Sequence, residues 1–172
     1  MNAQPHERIV ATADVANAPL HVVLVEPEIP PNTGNVARLC AATGCALHLI
    51  EPLGFRIDDR ALKRAGLDYW SAVRVVVHAS LDAFMAAFPV ERCWWIETDG
   101  ARSYTSAPFA RGDALVFGKE TGALPPAMLA AHASRTLHIP MRGNLVRSLN
   151  LSTSVGIVTY AALAALDFPD FG

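Results

Sequence analysis

Six short apolar runs, each leading into a polar loop or a helix-like segment, constrain this chain more than any other feature. They are His21–Val25, Ala46–Ile50, Val73–Val77, Cys93–Ile96, Ala114–Phe117 and Thr136–Ile139. Runs this short and this uniformly apolar suit strands buried on both faces. Helical segments stand between them. The first begins near Asn32 or Thr33, either of which can cap it, and runs to about Thr43, where Gly44 stops it. Others cover Asp58–Leu67, with Arg60, Lys63 and Arg64 outward, then Leu81–Phe88, Pro125–Ala131 with proline in its first turn, and Leu151–Leu166. The alternation predicts an α/β domain: a mostly parallel six-stranded sheet with helices on both faces.

A length of 172 residues fits one domain with a substantial core. Residues 1–18 have no sustained period and read as a flexible N-terminal leader, and residues 19–172 read as the single domain. Hydrophobic residues make up 52% of the chain and charged ones only 17%, so part of the apolar surface is expected to be covered by another subunit. The last helix points the same way. Val155, Ile157, Val158, Tyr160, Leu163 and Leu166 surround it on most sides, which suggests a homodimer interface. A net charge of −2 announces no broad basic surface, yet leaves room for a local basic groove. Cys40, Cys45 and Cys93 form no CxxC pair and read as buried small side chains, with neither a disulfide framework nor a zinc site expected. No apolar run reaches the ~20 residues that a membrane span needs, and the N-terminus lacks a signal-peptide core. A cytoplasmic protein with no membrane association is expected.

Several common site types are missing. There is no G-x-G-x-x-G after the first strand, no G-x-x-x-x-G-K-[ST], no G-x-S-x-G elbow and no metal-ligand spacing. His48 and His138 lie within apolar strands and read as satisfied structural histidines. The informative loops are instead Glu26–Thr33, Thr98–Gly100, Gly118–Leu124 and Pro140–Asn150. In parallel sheets ligands sit beyond the carboxyl ends of the strands, where these four loops converge.

Asn32, Asn35 and Arg38 recur at spacings of three, on one face of a helix start. They fit a capped helix with a surface arginine. They equally fit an anion site, with backbone N–H groups and a guanidinium gripping a phosphate. Gly118-Lys-Glu-Thr-Gly122 is either an ordinary strand-to-helix loop or one whose glycines let a ligand approach the backbone. Glu120 is placed to orient the neighbouring loops. Arg147, Ser148 and Asn150 precede the last helix, and Asn150 doubles as its N-cap.

Taken together, Val25-Glu-Pro-Glu-Ile-Pro-Pro-Asn-Thr-Gly-Asn-Val-Ala-Arg-Leu-Cys40, Leu49-Ile-Glu-Pro-Leu-Gly-Phe55, Arg64-Ala-Gly-Leu-Asp-Tyr69, Val116-Phe-Gly-Lys-Glu-Thr-Gly-Ala-Leu-Pro125 and Ile139-Pro-Met141 through Arg147-Ser-Leu-Asn-Leu-Ser152 resemble the SPOUT superfamily of RNA methyltransferases. The resemblance is closest to its TrmL (YibK-like) branch, the tRNA (cytidine/uridine) 2′-O-methyltransferases. It spans about residues 21 to 167. It implies a deep C-terminal trefoil knot, S-adenosyl-L-methionine as methyl donor, no metal, and a homodimer whose active site uses both subunits. It implies an adenosyl pocket at Ile96, Gly118, Ile139, Ser148 and Leu149. It implies a reacting-site set of Arg38, Asn35, Glu120, Ser148 and Asn150, with Arg147 and Tyr160 on the RNA or dimer side. One departure is Ala123, where the family often has glycine before Leu-Pro; Gly122 stands one place earlier.

The implied reaction is methyl transfer to the ribose 2′-oxygen of the wobble nucleotide, position 34, of leucine tRNAs. Arginine is a poor base, so Arg38 either loses its proton locally or stays charged and steadies phosphate and alkoxide; the second is the more economical. Arg56, Arg60, Lys63, Arg64, Arg142 and Arg147 are candidates for a basic rim. Three rival readings remain: the same chemistry on another tRNA or rRNA nucleotide, a knotted domain that binds RNA or nucleotide without catalysis, and, ranked last for want of a nucleophile constellation, a generic nucleotide-binding hydrolase.

Overall fold

The computed structural model describes residues 15–57, 72–143 and 145–172. Among the described residues, one sheet has seven strands: β1 Leu20–Val25, β2 Ala46–Ile50, β3 Arg74–His78, β4 Cys93–Ile96, β5 Arg102–Ser103, β6 Asp113–Phe117 and β7 Thr136–His138. Four described helices accompany them: α1 Pro30–Thr43, α2 Leu81–Ala87, α3 Pro126–Ala131 and α4 Leu151–Ala165. The spatial order is β3-β2-β1-β6-β4-β7-β5, and every pairing is parallel. The helical segment expected over Asp58–Leu67, with Arg60, Lys63 and Arg64, lies outside the described residues, as do residues 1–14 of the expected leader.

The expected count of six strands is corrected to seven. The added β5 is two half-buried residues that pair with the end of β7, Arg102 opposite Leu137 and Ser103 opposite His138. Backbone pairing alone makes it a strand, so it carries no apolar signature. The start of α1 is also corrected. Asn32 and Thr33 lie inside its first turn, and its N-cap is Ile29, which makes no side-chain cap. Pro30 and Pro31 start the helix instead, because proline presets φ and lacks the N–H that a first turn leaves orphaned. Gly44, left-handed at φ 70°, ends it as expected.

Helices cover both faces, and strand alternation decides which side chains meet which layer. Leu20, Val22, Leu24, Leu47, Leu49, Leu115 and Phe117 meet α1 and α4 on one side. Val23, Val25, Ile50, Trp95 and Val116 meet Phe84 of α2 and Met128 and Leu129 of α3 on the other. The last helix is apolar on most sides, as expected, but within one chain only part of it is covered. Leu151, Val155, Val158, Ala162 and Leu163 are buried along one stripe, whereas Tyr160 is 43% exposed on the opposite side.

The chain runs β1, β2, β3 outward from the centre, then crosses back past β1 to β4, and β6 later fills the place between β1 and β4. Such a reversal opens a crevice at the carboxyl ends of the flanking strands. The site lies there.

Candidate active site

A cavity of about 500 Å³ opens beyond the carboxyl ends of β1, β4, β6 and β7. Four separate loops line it: Ile29 and Asn32 after β1, Ile96 to Thr98 after β4, Phe117 to Ala123 after β6, and Ile139 to Leu151 after β7. Its volume falls within the range of about 300–1,000 Å³ usual for small-molecule sites. Ile96, Phe117, Ile139 and Leu149 give it apolar walls. Glu97, Glu120, Asn32, Arg147, Ser148 and Asn150 give it polar ones.

A chain of hydrogen bonds ties these loops together. The Glu120 carboxylate accepts from the backbone N–H groups of Glu28 (2.8 Å) and Ile29 (3.1 Å) and from Asn32 Nδ2 (3.0 Å). Asn32 Oδ1 in turn accepts from Asn150 Nδ2 at 3.0 Å. Asn150 Oδ1 accepts from Thr153 N–H at 3.3 Å and from Ser152 Oγ at 2.7 Å, which caps α4. Three segments far apart in sequence are thus fixed by one carboxylate and two amides. Bonds to an ionised acceptor are the stronger kind. Lys119 to Glu26 (3.3 Å) and Thr121 Oγ1 to Glu28 (2.6 Å) add two rim contacts between the same loops.

The loop after β6 folds back beside its strand end: a Cβ on Gly118 would stand in ordinary contact with Gly122 O and Leu124 N at 3.4 Å and with Glu97 Oε1 at 3.5 Å. Gly54 lies against the loop after β1, where a Cβ would stand 2.7 Å from Glu28 Cα. Glu97 Oε1 accepts from Leu124 N–H at 2.6 Å, and burial raises the pKa of its carboxyl.

The SpoU rRNA Methylase family is matched over residues 19–160. This chain belongs to that family. It is 49% identical over 149 residues to a tRNA (cytidine(34)-2′-O)-methyltransferase of Saccharophagus degradans, covering 86% of this chain and 96% of the relative. Among solved structures, one described as "Structural insights into the 2-OH methylation of C/U34 on tRNA" superposes with a TM-score of 0.81 at 49% identity, covering 86% of this chain and 96% of the other. The fold extends to the SpoU methyltransferase AviRb of Streptomyces viridochromogenes, solved in complex with AdoMet. That structure has a TM-score of 0.74 at 21% identity and covers 86% of this chain and 60% of AviRb.

The SpoU-family fold brings eight of the residues singled out in the sequence onto the cavity wall: Ile96, Gly118, Glu120, Ile139, Arg147, Ser148, Leu149 and Asn150. It does not bring Asn35, Arg38 or Tyr160 there. Asn35 and Arg38 are exposed on α1, and Arg38 stands about 9 Å further along the helix axis than Asn32. Tyr160 is on the outward side of α4. Asn32, singled out by its helix-face spacing, is on the wall as well; only 5% exposed, it is the hinge of the hydrogen-bond chain. The spacing of three points to its helix face, but its partners lie 88 and 118 residues away. Sequence reasoning misses Glu97 and Met141 on the same wall. For Glu97 the available signal is an acidic residue directly after an apolar strand. His48 and His138 have structural partners, His21 and His78 for the first and the Gly100 carbonyl for the second.

Proposed function

We propose that this protein methylates the 2′-oxygen of the ribose at the wobble position, nucleotide 34, of leucine tRNAs, with S-adenosyl-L-methionine as the donor. The observation that carries this reading is the near full-length likeness to a tRNA (cytidine(34)-2′-O)-methyltransferase, in a chain whose loops converge on one small-molecule cavity. Cytidine or a modified uridine is the target, and the cytoplasm is where such a substrate is met. The donor fits what is present. Gly118 and the turn after it border the opening without a bulky side chain, and Ile96, Phe117, Ile139 and Leu149 supply apolar walls that suit a flat nucleoside. AviRb, of the same fold, binds AdoMet.

When bound, the donor supplies a methyl group on a sulfonium, already a good leaving group. This chain must then do two things. It must hold the ribose oxygen in line, since positioning is worth roughly 7–11 kcal/mol in well-oriented reactions. It must also steady charge as the hydroxyl loses its proton. The Glu120–Asn32–Asn150 chain serves the first by fixing three loops around the opening. Arg38 serves the second, as a charged group that grips the adjoining phosphate and stabilises the developing alkoxide.

Arg38 lies outside the cavity wall of its own subunit, which agrees with a homodimer through α4 whose two active sites each combine both chains. A trefoil knot in the carboxyl-terminal half belongs to the same reading.

The test is incubation of the purified protein with labelled donor and leucine tRNA transcripts carrying substituted anticodons. Label is expected at nucleotide 34 alone; label elsewhere in tRNA or only in rRNA would retire the wobble assignment. Arg38→Ala is expected to abolish transfer while calorimetry shows donor binding largely retained. Substantial turnover by that variant would remove Arg38 from the mechanism.

A further inference from the structure

Glu97 is the cavity-wall carboxylate to which the hydrogen-bond chain gives no role. It directly follows the last residue of β4. Its N–H donates to the Leu137 carbonyl at 2.9 Å, and its carbonyl accepts from Gly100 N–H at 3.3 Å. The turn between is pressed against β7 so closely that only glycine fits at position 100. A backbone held this firmly presents its side chain to the cavity in one place.

The carboxylate is only partly engaged. Oε1 accepts from Leu124 N–H at 2.6 Å, and Thr98 N–H bonds the group more weakly. A carboxylate has about four acceptor sites, which leaves capacity for about two more donors on a group that lines the opening. The pKa of its carboxyl is raised chiefly by burial, as expected for a charged form that lacks the donors water would supply. Oε1 also stands beside Gly118, 3.5 Å from where a Cβ would be, and both residues are on the cavity wall. A nucleoside resting on the Gly118 turn therefore meets the Glu97 carboxylate at its edge.

We propose that Glu97 holds the ribose 2′,3′-diol of the adenosyl group, an inference that rests on the methyl-donor reading above. A vicinal diol offers two O–H donors at a spacing that matches the two oxygens of one carboxylate. The adenine amino group also has two N–H bonds, but they diverge, so a single carboxylate takes only one. Doubly wound dinucleotide-binding sheets use related chemistry, with an acidic side chain accepting from a ribose hydroxyl.

The experiment is calorimetry on wild-type protein and Glu97→Gln with three ligands: S-adenosylhomocysteine, its 2′,3′-dideoxy counterpart and its inosine counterpart. Gln keeps an oxygen for Leu124 N–H, and a thermal melt verifies folding. Glu97→Gln is expected to weaken S-adenosylhomocysteine about tenfold and to leave the dideoxy compound within about twofold. Glu97→Asp, which withdraws the carboxylate by one methylene, is expected to show the same diol-dependent loss should the amide disturb the loop. Equal losses for the ribose and dideoxy compounds would assign Glu97 to bracing the Leu124 loop and overturn the proposal. So would unchanged affinity in both variants, or a loss that follows the inosine substitution in place of the diol. Wild-type protein that binds none of the three would overturn the methyl-donor reading together with this one.

Discussion

Asn32 shows how much one amide can organise. It is 5% exposed, donates to Glu120 and accepts from Asn150, so both ends of its side chain are committed. Asn32→Ala removes a donor from Glu120 and the acceptor of Asn150 Nδ2. Polar groups stranded in this way cost about 1–3 kcal/mol. Asn32→Asp is expected to be worse at neutral pH, because it sets a second carboxylate where the amide now stands 3.0 Å from Glu120 Oε1. Urea unfolding of the three proteins checks the order, wild type above Ala above Asp; an Asp variant as stable as Ala would mean that Glu120 does not face this position as a carboxylate. Sequence spacing reaches the correct helix face here and then favours its exposed members, Asn35 and Arg38. What distinguishes Asn32 is contact with segments far along the chain, and a local pattern carries no record of that.

Three histidines cross strands β1, β2 and β3 as a staircase. His48 stands opposite Val23, two residues beyond His21, and His78 stands opposite Ile50, two residues beyond His48. Steps of two keep all three on one sheet face. The rings meet at 2.9 Å, His21 Nδ1 to His48 Nε2 and His48 Nδ1 to His78 Nε2, under the rings of Phe84 and Phe88. A neutral imidazole has one donor and one acceptor, so the neutral chain satisfies itself. Burial, with Arg92 nearby, lowers the pKa of His21 to about 4. Burial and the two neighbouring rings lower that of His48 to about 3. The unfolded chain titrates both near 6.5, so between that pH and about 4 it binds more protons than the folded one. Stability is therefore full above about pH 6.5 and falls as pH drops, by roughly 3 kcal/mol from His21 alone once pH is below its folded value. Urea midpoints measured in steps from pH 7.5 to 4.5 are expected to decline, and a smaller decline is expected for His21→Asn. Midpoints that stayed level across that interval would show that these rings are not held neutral. The apolar strand around His48 is enough to read it as a satisfied structural residue; its two histidine partners are not legible, because strand register is set by the whole sheet.

At the scale of the molecule, the strands with two buried faces are the legible part. β2 and β4 have the bounds read from their apolar runs, and β1, β3, β6 and β7 differ by one residue at an end or in register; β1, β2, β4 and β6 are buried at every position, which demands an unbroken apolar signal. β5 has no such demand and is invisible in the sequence. The surface of α4 is legible in kind but not in extent: its outward side carries Tyr160, which leads through Phe168 to Phe171 with successive ring centroids 6.4 and 5.4 Å apart, and open space at Gly156. That exposed aromatic strip, and an Arg38 that stands off its own cavity, lead to one test of the dimer and of the shared active site together. Two inactive variants are mixed, Arg38→Ala and Gly118→Val, the second adding bulk on the cavity-wall turn at a backbone position where φ is not positive. If Arg38 serves the partner's cavity, each mixed dimer has one site with both defects and one with neither. Random exchange at equal amounts then restores about a quarter of wild-type activity. If Arg38 serves its own cavity, every site in the mixture keeps one defect and nothing is restored. Tyr160→Asp added to both variants is expected to weaken the association and abolish the rescue, with a shift toward monomer in sedimentation. Rescue that persisted in a monomer would contradict the shared site, and mixed dimers without rescue would return Arg38 to its own subunit.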